Sequence, residues 1–311
     1  MIYQNVELFN LRAVEDDPAG VRLCRLPEAV RNELNPRARM QGLNGNCGEI
    51  RFVTEAPFFN VRLMVRKLNT WPQPINPQMR VMCGNLEYSR VELPFNQMTA
   101  VPFDAFVPAG IRPEVLRPDA DFGFAPNVWR LVLPGVEIIW GGIEVFGCQI
   151  RPPVREETPK YRILCHGSSI TDSYIEGWPA LLGHYLGVDV LNLGLAGACQ
   201  VEDKLADYLA TLDEYDALIL ELGINIIGMD CGEFASRVDY FLAKLARPGR
   251  PVALITVFPS FDDVACQTDE KRQQNGDKPD YYGLYRQIIR DAGHQYRNQG
   301  FDITIVEGPA I

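Results

Sequence analysis

Two hydrophobic rhythms divide this chain, and one proline-rich segment, Arg151-Pro-Pro-Val-Arg-Glu-Glu-Thr-Pro-Lys160, stands between them. Before it, apolar residues alternate with polar ones. In 59–66, Phe59, Val61, Leu63 and Val65 point one way and Asn60, Arg62 and Arg66 the other, with Met64 the one apolar exception on that face. A period of two marks a strand with one face buried. Similar short runs recur at 49–54, 79–84, 128–133 and 136–146. Clusters such as Trp71-Pro-Gln-Pro-Ile-Asn-Pro77 separate them, and such residues end strands and turn the chain. Residues 1–150 therefore read as an all-β, antiparallel sandwich of the jelly-roll kind. Residues 151–160, rich in proline and charge, read as a linker.

After the linker the rhythm changes. Apolar runs at 161–166, 188–194, 216–222, 251–258 and 301–306 have the length of buried strands, and helical patterns lie between them. Leu205, Tyr208, Leu209 and Leu212 share one helix face, as do Phe234, Val238, Phe241, Leu242 and Leu245. Alternating strand and helix predicts an α/β domain with a parallel sheet covered on both sides. Such sheets carry their sites beyond the carboxyl ends of the strands.

Three of those strand ends are chemically suggestive. The first is followed by Gly167-Ser-Ser-Ile-Thr171, the second by Asn192-Leu-Gly-Leu-Ala-Gly-Ala198 and the third by Glu221-Leu-Gly-Ile-Asn225. Taken singly, each is an ordinary turn. Together they place a hydroxyl, a glycine amide and an asparagine amide over one sheet edge. Those are the parts of an acyl-transfer site, a nucleophile with donors for the oxyanion its attack creates.

In this order the three blocks resemble those of the SGNH (GDSL-like) hydrolase superfamily, over about 161–311. The resemblance implies a flavodoxin-like parallel sheet with Ser169 as nucleophile. It also implies an oxyanion hole built from the Ser169 N–H, the Gly197 N–H and the Asn225 side-chain amide. Ser168 fills the place where many members carry Asp, and Ile226 stands where they often carry a second Asp. A jelly-roll domain ahead of such a hydrolase is similar to bacterial carbohydrate esterases that remove acetyl groups from sugars. The implied substrate is a small-molecule or glycan ester. Other motifs fail: the G-x-S-x-G elbow would need glycine where Thr171 stands, and there is neither G-x-G-x-x-G nor a phosphate-binding G-x-x-x-x-G-K-[ST].

A serine hydroxyl needs a base. The family's base is a histidine in a D-x-x-H block after the last strand. Asp291-Ala-Gly-His294 has that spacing but precedes the strand 301–306. On a helix, Tyr281, Leu284, Tyr285, Ile288, Ala292 and Tyr296 form one stripe, which puts His294 on the opposite, solvated face with Arg286, Gln287, Arg290 and Arg297. His184 reads as structural, and His166 as a residue near the site or an unusual base. The expectation is that the chain lacks its catalytic histidine block, which would follow Ile311, and is inactive as it stands; the alternatives are a protein that has lost its base and a base donated by a partner chain. The competing reading is a non-catalytic glycan-binding or structural protein on the same scaffold.

Composition narrows the partners. At 311 residues with 47% apolar and 23% charged residues, the chain has room for two ordinary domains. Its net charge of −10 argues against nucleic acid, which needs a basic surface. No apolar run approaches the ~18–20 residues that span a bilayer, and Met1-Ile-Tyr-Gln-Asn5 opens no secretion signal. The eight cysteines contain no C-x-x-C pair. They read as reduced thiols of a cytoplasmic protein, and neither a metal nor a cofactor is expected. Trp71 is either a sugar-stacking or a packing residue. Trp178 either lines an acyl pocket or packs at a helix start. The long polar stretch 261–278 reads as a lid or a disordered loop.

Overall fold

The computed structural model describes residues 1–68, 76–104, 122–173, 176–276 and 278–310. Trp71 lies outside them. The first half contains twelve strands among the described residues. They are β1 (Ile2–Tyr3), β2 (Val6–Phe9), β3 (Ala13–Asp17), β4 (Gly20–Cys24), β5 (Glu49–Thr54) and β6 (Phe58–Arg66). β7 (Gln78–Cys83), β8 (Leu86–Glu92), β9 (Thr99–Asp104), β10 (Trp129–Val132), β11 (Glu137–Glu144) and β12 (Ile150–Arg151) follow. One antiparallel sheet runs β1-β2-β5-β10-β7-β8, with β12 beside β5, and a second runs β3-β4-β11-β6-β9. Their facing side chains, among them Leu8, Ile50, Phe52, Val81 and Leu131 from one sheet and Phe59, Val61, Val101, Ile138 and Trp140 from the other, share one core.

Two short helices, α1 (Glu28–Glu33) and α2 (Pro36–Gln41), leave the second sheet between β4 and β5. Asn35 caps α2, its side-chain oxygen accepting from the N–H groups of Arg37 (3.1 Å) and Ala38 (3.0 Å), with Pro36 in the first turn where its missing N–H costs nothing. The linker is pinned. Glu157, in a 3-10 turn, receives two hydrogen bonds from Arg151 (2.6 and 2.7 Å).

The second half is β13 (Arg162–His166), α3 (Ser169–Asp172), α4 (Trp178–Leu186), β14 (Asp189–Asn192), α5 (Asp203–Leu209), β15 (Ala217–Glu221), α6 (Cys231–Leu245), β16 (Val252–Ile255), α7 (Asp269–Asn275), α8 (Tyr281–Asn298) and β17 (Ile303–Val306). All neighbouring strands are parallel, in the order β14-β13-β15-β16-β17. In order of appearance that is 2-1-3-4-5, so the first three strand ends lie side by side at the switch point. The stretch 261–278 carries a 3-10 turn at Val264–Cys266 and the helix α7 within its described residues.

The expected stripe of α8 is rotated. Tyr282, Tyr285, Arg286, Ile289, Gly293 and Tyr296 are buried, while Leu284 is 44% exposed. Arg286 is therefore not on the solvated face. Its Nε donates to the Val257 carbonyl (2.8 Å), and its guanidinium pairs with buried Asp263. A hydrophobicity count places arginine outward, whereas an acceptor and a carboxylate waiting beneath the helix turn it inward. His294, in contrast, is exposed as expected.

The two halves pack through apolar contacts, Phe9, Leu26, Leu34 and Ala38 joining the core of the second half, and through polar ones. Along β5, Ile50 and Phe52 enter the sandwich core, and alternation turns Glu49 and Arg51 to the far side, against the second half. Fully buried Arg51 forms a bidentate pair with Asp189 of β14 (2.8 and 2.7 Å) and lies 3.5 Å from the Phe9 ring centroid. Its Nε donates to Glu49 (2.7 Å).

Candidate active site

β13 delivers the chain into a tight turn. Gly167 admits no side chain, because a Cβ there would fall 2.4 Å from Thr171 Oγ1 and 2.6 Å from Glu221 Oε2. Ser168 is buried and caps α3. Its hydroxyl accepts from Ile170 N–H (3.2 Å) and donates to Glu221 Oε2 (2.7 Å). The same carboxylate oxygen accepts from Ser168 N–H (2.7 Å) and Thr171 Oγ1 (3.1 Å). Ser169, next in line, is exposed, and among the described residues its hydroxyl makes no hydrogen bond.

Glu221 ends β15 and carries the turn, yet its Oε1 is buried without a partner among the described residues. Burial pushes its carboxyl from 4.5 up to about 7, against hydrogen bonds that favour the ionised form. An acid raised on folding binds more protons in the native than in the unfolded state between those two values. This contribution is therefore most favourable below pH 4.5 and is lost as pH rises through about 7. At ~1.36 kcal/mol per pH unit the loss is about 3 kcal/mol. Urea unfolding at pH 5 and pH 8 measures it, and Glu221→Gln should flatten the difference; an equal slope in the variant would show that other groups cause it.

The second loop turns at Gly197, whose φ of +62° suits glycine. Neighbouring amides tie it to the Gly167–Ser169 turn. Leu195 N–H donates to Gly167 O (2.8 Å), and Ala196 N–H donates to Asp172 Oδ2 (3.1 Å). Gly197 N–H has no acceptor among the described residues. The third loop places Asn225 on a 3-10 turn after Gly223, at φ +108°. Asn225 Oδ1 accepts from Cys199 N–H (3.1 Å), which turns Nδ2 away from that amide. Nδ2 makes no hydrogen bond among the described residues. Ser169, Gly197 and Asn225 thus sit on three adjacent loops joined by hydrogen bonds.

The sandwich half completes the surroundings. Buried Asp172 accepts from Arg25 Nη1 (2.8 Å) and Asn46 Nδ2 (2.9 Å). Arg25, 1% exposed, also donates to Gly194 O (3.0 Å). A cavity of about 130 Å3 opens beside Ser169, walled by Gln41, Asn44, Asn46 and Gly135 of the first half and by Asp172, Ser173 and Ala196 of the second. Gln41 donates to Ala196 O (3.0 Å), and Asn44 donates to Gln41 Oε1 (2.6 Å). None of these first-half residues was foreseen from the sequence. Arg25 was the detectable one, a charge set in the run Leu23-Cys-Arg-Leu26.

The histidines stand apart. His166 is fully buried, with Nδ1 on Leu193 O (2.8 Å), Nε2 3.6 Å from Cys199 Sγ and the ring stacked on Phe241. Burial lowers it to about 4, so it is neutral at pH 7. His184 is exposed on α4 beside Tyr185 and so packs no core, contrary to its structural reading. Trp178 starts α4, half-buried. All eight cysteines are free, and Cys148 and Cys266 are exposed. Among the described residues no His/Cys/Asp/Glu group could hold a metal, and no helix is long and apolar enough to cross a membrane.

No family model and no curated protein matches this sequence. Solved structures do share its fold. The chain is similar to the salicylyl-acyltransferase SsfX3 from a tetracycline biosynthetic pathway, at TM-score 0.76 and 16% identity over 98% of this chain and 83% of that one. It is similar to a GDSL-like lipase from Bacteroides ovatus, at TM-score 0.64 and 18% identity over 98% and 85%. A family two carbohydrate esterase from Cellvibrio japonicus gives TM-score 0.59 and 11% identity over 97% and 85%.

Proposed function

We propose that this protein is an SGNH-type serine esterase or acyltransferase in which Ser169 attacks a small acyl ester, an acetyl group on a carbohydrate being the foremost case. A general base takes the Ser169 hydroxyl proton as Oγ adds to the carbonyl carbon, and the charge passes to the carbonyl oxygen. Ser169 N–H, Gly197 N–H and Asn225 Nδ2 receive that oxygen. The alcohol then leaves with the proton held by the base, and water or a second alcohol, giving its own proton to the base, takes the acyl group while Ser169 Oγ is reprotonated. The general base is none of His166, His184 or His294.

One observation carries this reading: an exposed hydroxyl and two amide donors, all unengaged among the described residues, stand on three loops that hydrogen bonds hold together. The fold shared with acyltransferases and esterases supports it. The jelly-roll reading of the sandwich belongs to the same proposal. It is supported by β2 and β12 lying on one side of β5 and by the order β4-β11-β6-β9, with β7–β8 as an added hairpin.

A chamber of about 130 Å3 is far below the ~300–1,000 Å3 of sites for larger ligands. In the full-length protein, p-nitrophenyl acetate should therefore exceed p-nitrophenyl octanoate in kcat/KM by roughly a hundredfold or more, since even one excluded methylene costs ~10-fold or more. A fluorophosphonate probe followed by peptide mass analysis should label Ser169. Labelling of Ser168, or of no serine in this turn, would remove the proposal.

A further inference from the structure

A second cavity, of about 670 Å3, opens where β13, β15 and β16 begin, at the end of the parallel sheet opposite Ser169. Its wall includes Tyr161 and Arg162, Tyr215 and Asp216, and the turn Arg247-Pro-Gly-Arg250. Arg250 N–H closes that turn on Arg247 O (3.2 Å), with Gly249 at φ +75° behind the proline, as a tight turn of this kind requires. The turn lays the Arg250 guanidinium over the Tyr215 ring, 4.1 Å from its centroid. Tyr215 is 2% exposed, and its hydroxyl is buried without a partner among the described residues. Arg250 is half-buried, its Nη1 is buried and unpaired, and its guanidinium donates to no described residue. The other guanidinium groups of the wall are taken. Arg247 is held by Asp213 and by Ala210 O. Arg162 donates to Glu214 O and Asp189 Oδ2 (3.3 Å each).

We propose that this cavity binds a small organic oxyanion, a carboxylate or a phosphate monoester, whose oxygens meet Arg250 and whose apolar body lies against Tyr161, Pro248 and Pro251. Buried donors left without an acceptor are costly, and two of them, on Arg250 and Tyr215, gather at one wall. Arginine presents paired donors that match the oxygens of such groups. Stacking on Tyr215 fixes the plane of the guanidinium in advance, so little freedom is lost when an anion arrives. The volume lies within the ~300–1,000 Å3 of small-molecule sites. Asp216 does not oppose this, because its carboxylate accepts from Arg162 N–H (2.8 Å) and stands exposed, where water and salt screen it. The net charge of −10 acts from further away and is screened in the same way.

Amide NMR titrations of the full-length protein with benzoate, phenyl phosphate, inorganic phosphate and neutral benzyl alcohol test this. Benzoate or phenyl phosphate should shift the backbone amides around Tyr215 and Gly249, and whichever binds tighter identifies the preferred oxyanion. Its Kd should rise by about 10- to 100-fold in Arg250→Gln, as for one lost hydrogen bond to a charged group, and by less in Arg250→Lys. Since the guanidinium donates to no described residue, both variants should melt with the parent in a thermal scan without ligand. None of the wall residues takes part in the proposed ester chemistry, so Ser169→Ala should bind these anions as the parent does, whatever becomes of the esterase reading. Three results would overturn the proposal: no shift at these amides with any probe, benzyl alcohol binding there as tightly as benzoate, or Arg250→Gln binding both organic anions like the parent. Inorganic phosphate binding as tightly as phenyl phosphate would remove the organic body from it.

Discussion

Ser169→Ala should remove nearly all Ser169-dependent turnover of p-nitrophenyl acetate by the full-length protein, a fall in kcat on the order of 10⁶ at the upper end, as in other serine hydrolases stripped of their nucleophile. What survives should be the ~10³–10⁴-fold advantage over water that binding and an oxyanion hole supply by themselves. The hydroxyl stands exposed at the start of α3 with no partner to lose among the described residues, so the alanine variant should melt with the parent. Asn225→Ala should lower kcat by about 10²–10³, with a smaller change in KM, because in the proposed mechanism its Nδ2 meets a charge that exists only in the transition state. Steady-state kinetics decide the matter: an alanine at 169 that keeps parental kcat would end the serine mechanism. Ser168 offers no substitute nucleophile, since its hydroxyl is already spent between Glu221 and Ile170 N–H.

Arg51→Ala should cost about 3–5 kcal/mol of unfolding free energy, the range for breaking a buried ion pair from one side. Arg51 is 0% exposed and faces Asp189 with two hydrogen bonds of 2.8 and 2.7 Å. Its removal strands a carboxylate that is 2% exposed, and Arg162, at 3.3 Å, replaces only part of the lost charge. Glu49 fares better, because Arg130 still holds it (2.5 Å). Arg51→Met with Asp189→Asn should lose less than the sum of the two single changes, since neither then leaves a naked charge. Urea midpoints for the four proteins measure this, and additive losses would show that the pair contributes no coupling.

Much of the architecture was readable from periodicity. The five parallel strands lie within the runs expected of them, and β5 and β6 match closely. The strands that escaped notice have physical reasons for doing so. β2, Val-Glu-Leu-Phe, is covered on both faces, because the second half buries what alternation would leave wet. β3 and β8 are edge strands rich in charge, Ala-Val-Glu-Asp-Asp and Leu-Glu-Tyr-Ser-Arg-Val-Glu, with little burial to impose a period. α8 was turned by Arg286, whose acceptors come from a distant loop.

The candidate site was legible only along one half of the chain. Ser169, Gly197 and Asn225 follow strand ends, and that rule is local to the sheet. Arg25, Gln41, Asn44 and Asn46 approach from a domain more than a hundred residues earlier, where no periodicity announces them. The usable trace was charge inside apolar runs: Arg25, Arg51 and Glu221 all interrupt otherwise buried strands or their exits. A buried charge needs a partner, so each such interruption predicts a tertiary contact without naming it.

The shared wall of the chamber has a consequence for inheritance. A shuffled gene joining residues 161 onward to a foreign sandwich would receive Asp172 without Arg25 and Asn46, and a Gly197 turn without the helix that lies along it. Recombination inside the linker is thus penalised although the linker itself does no chemistry.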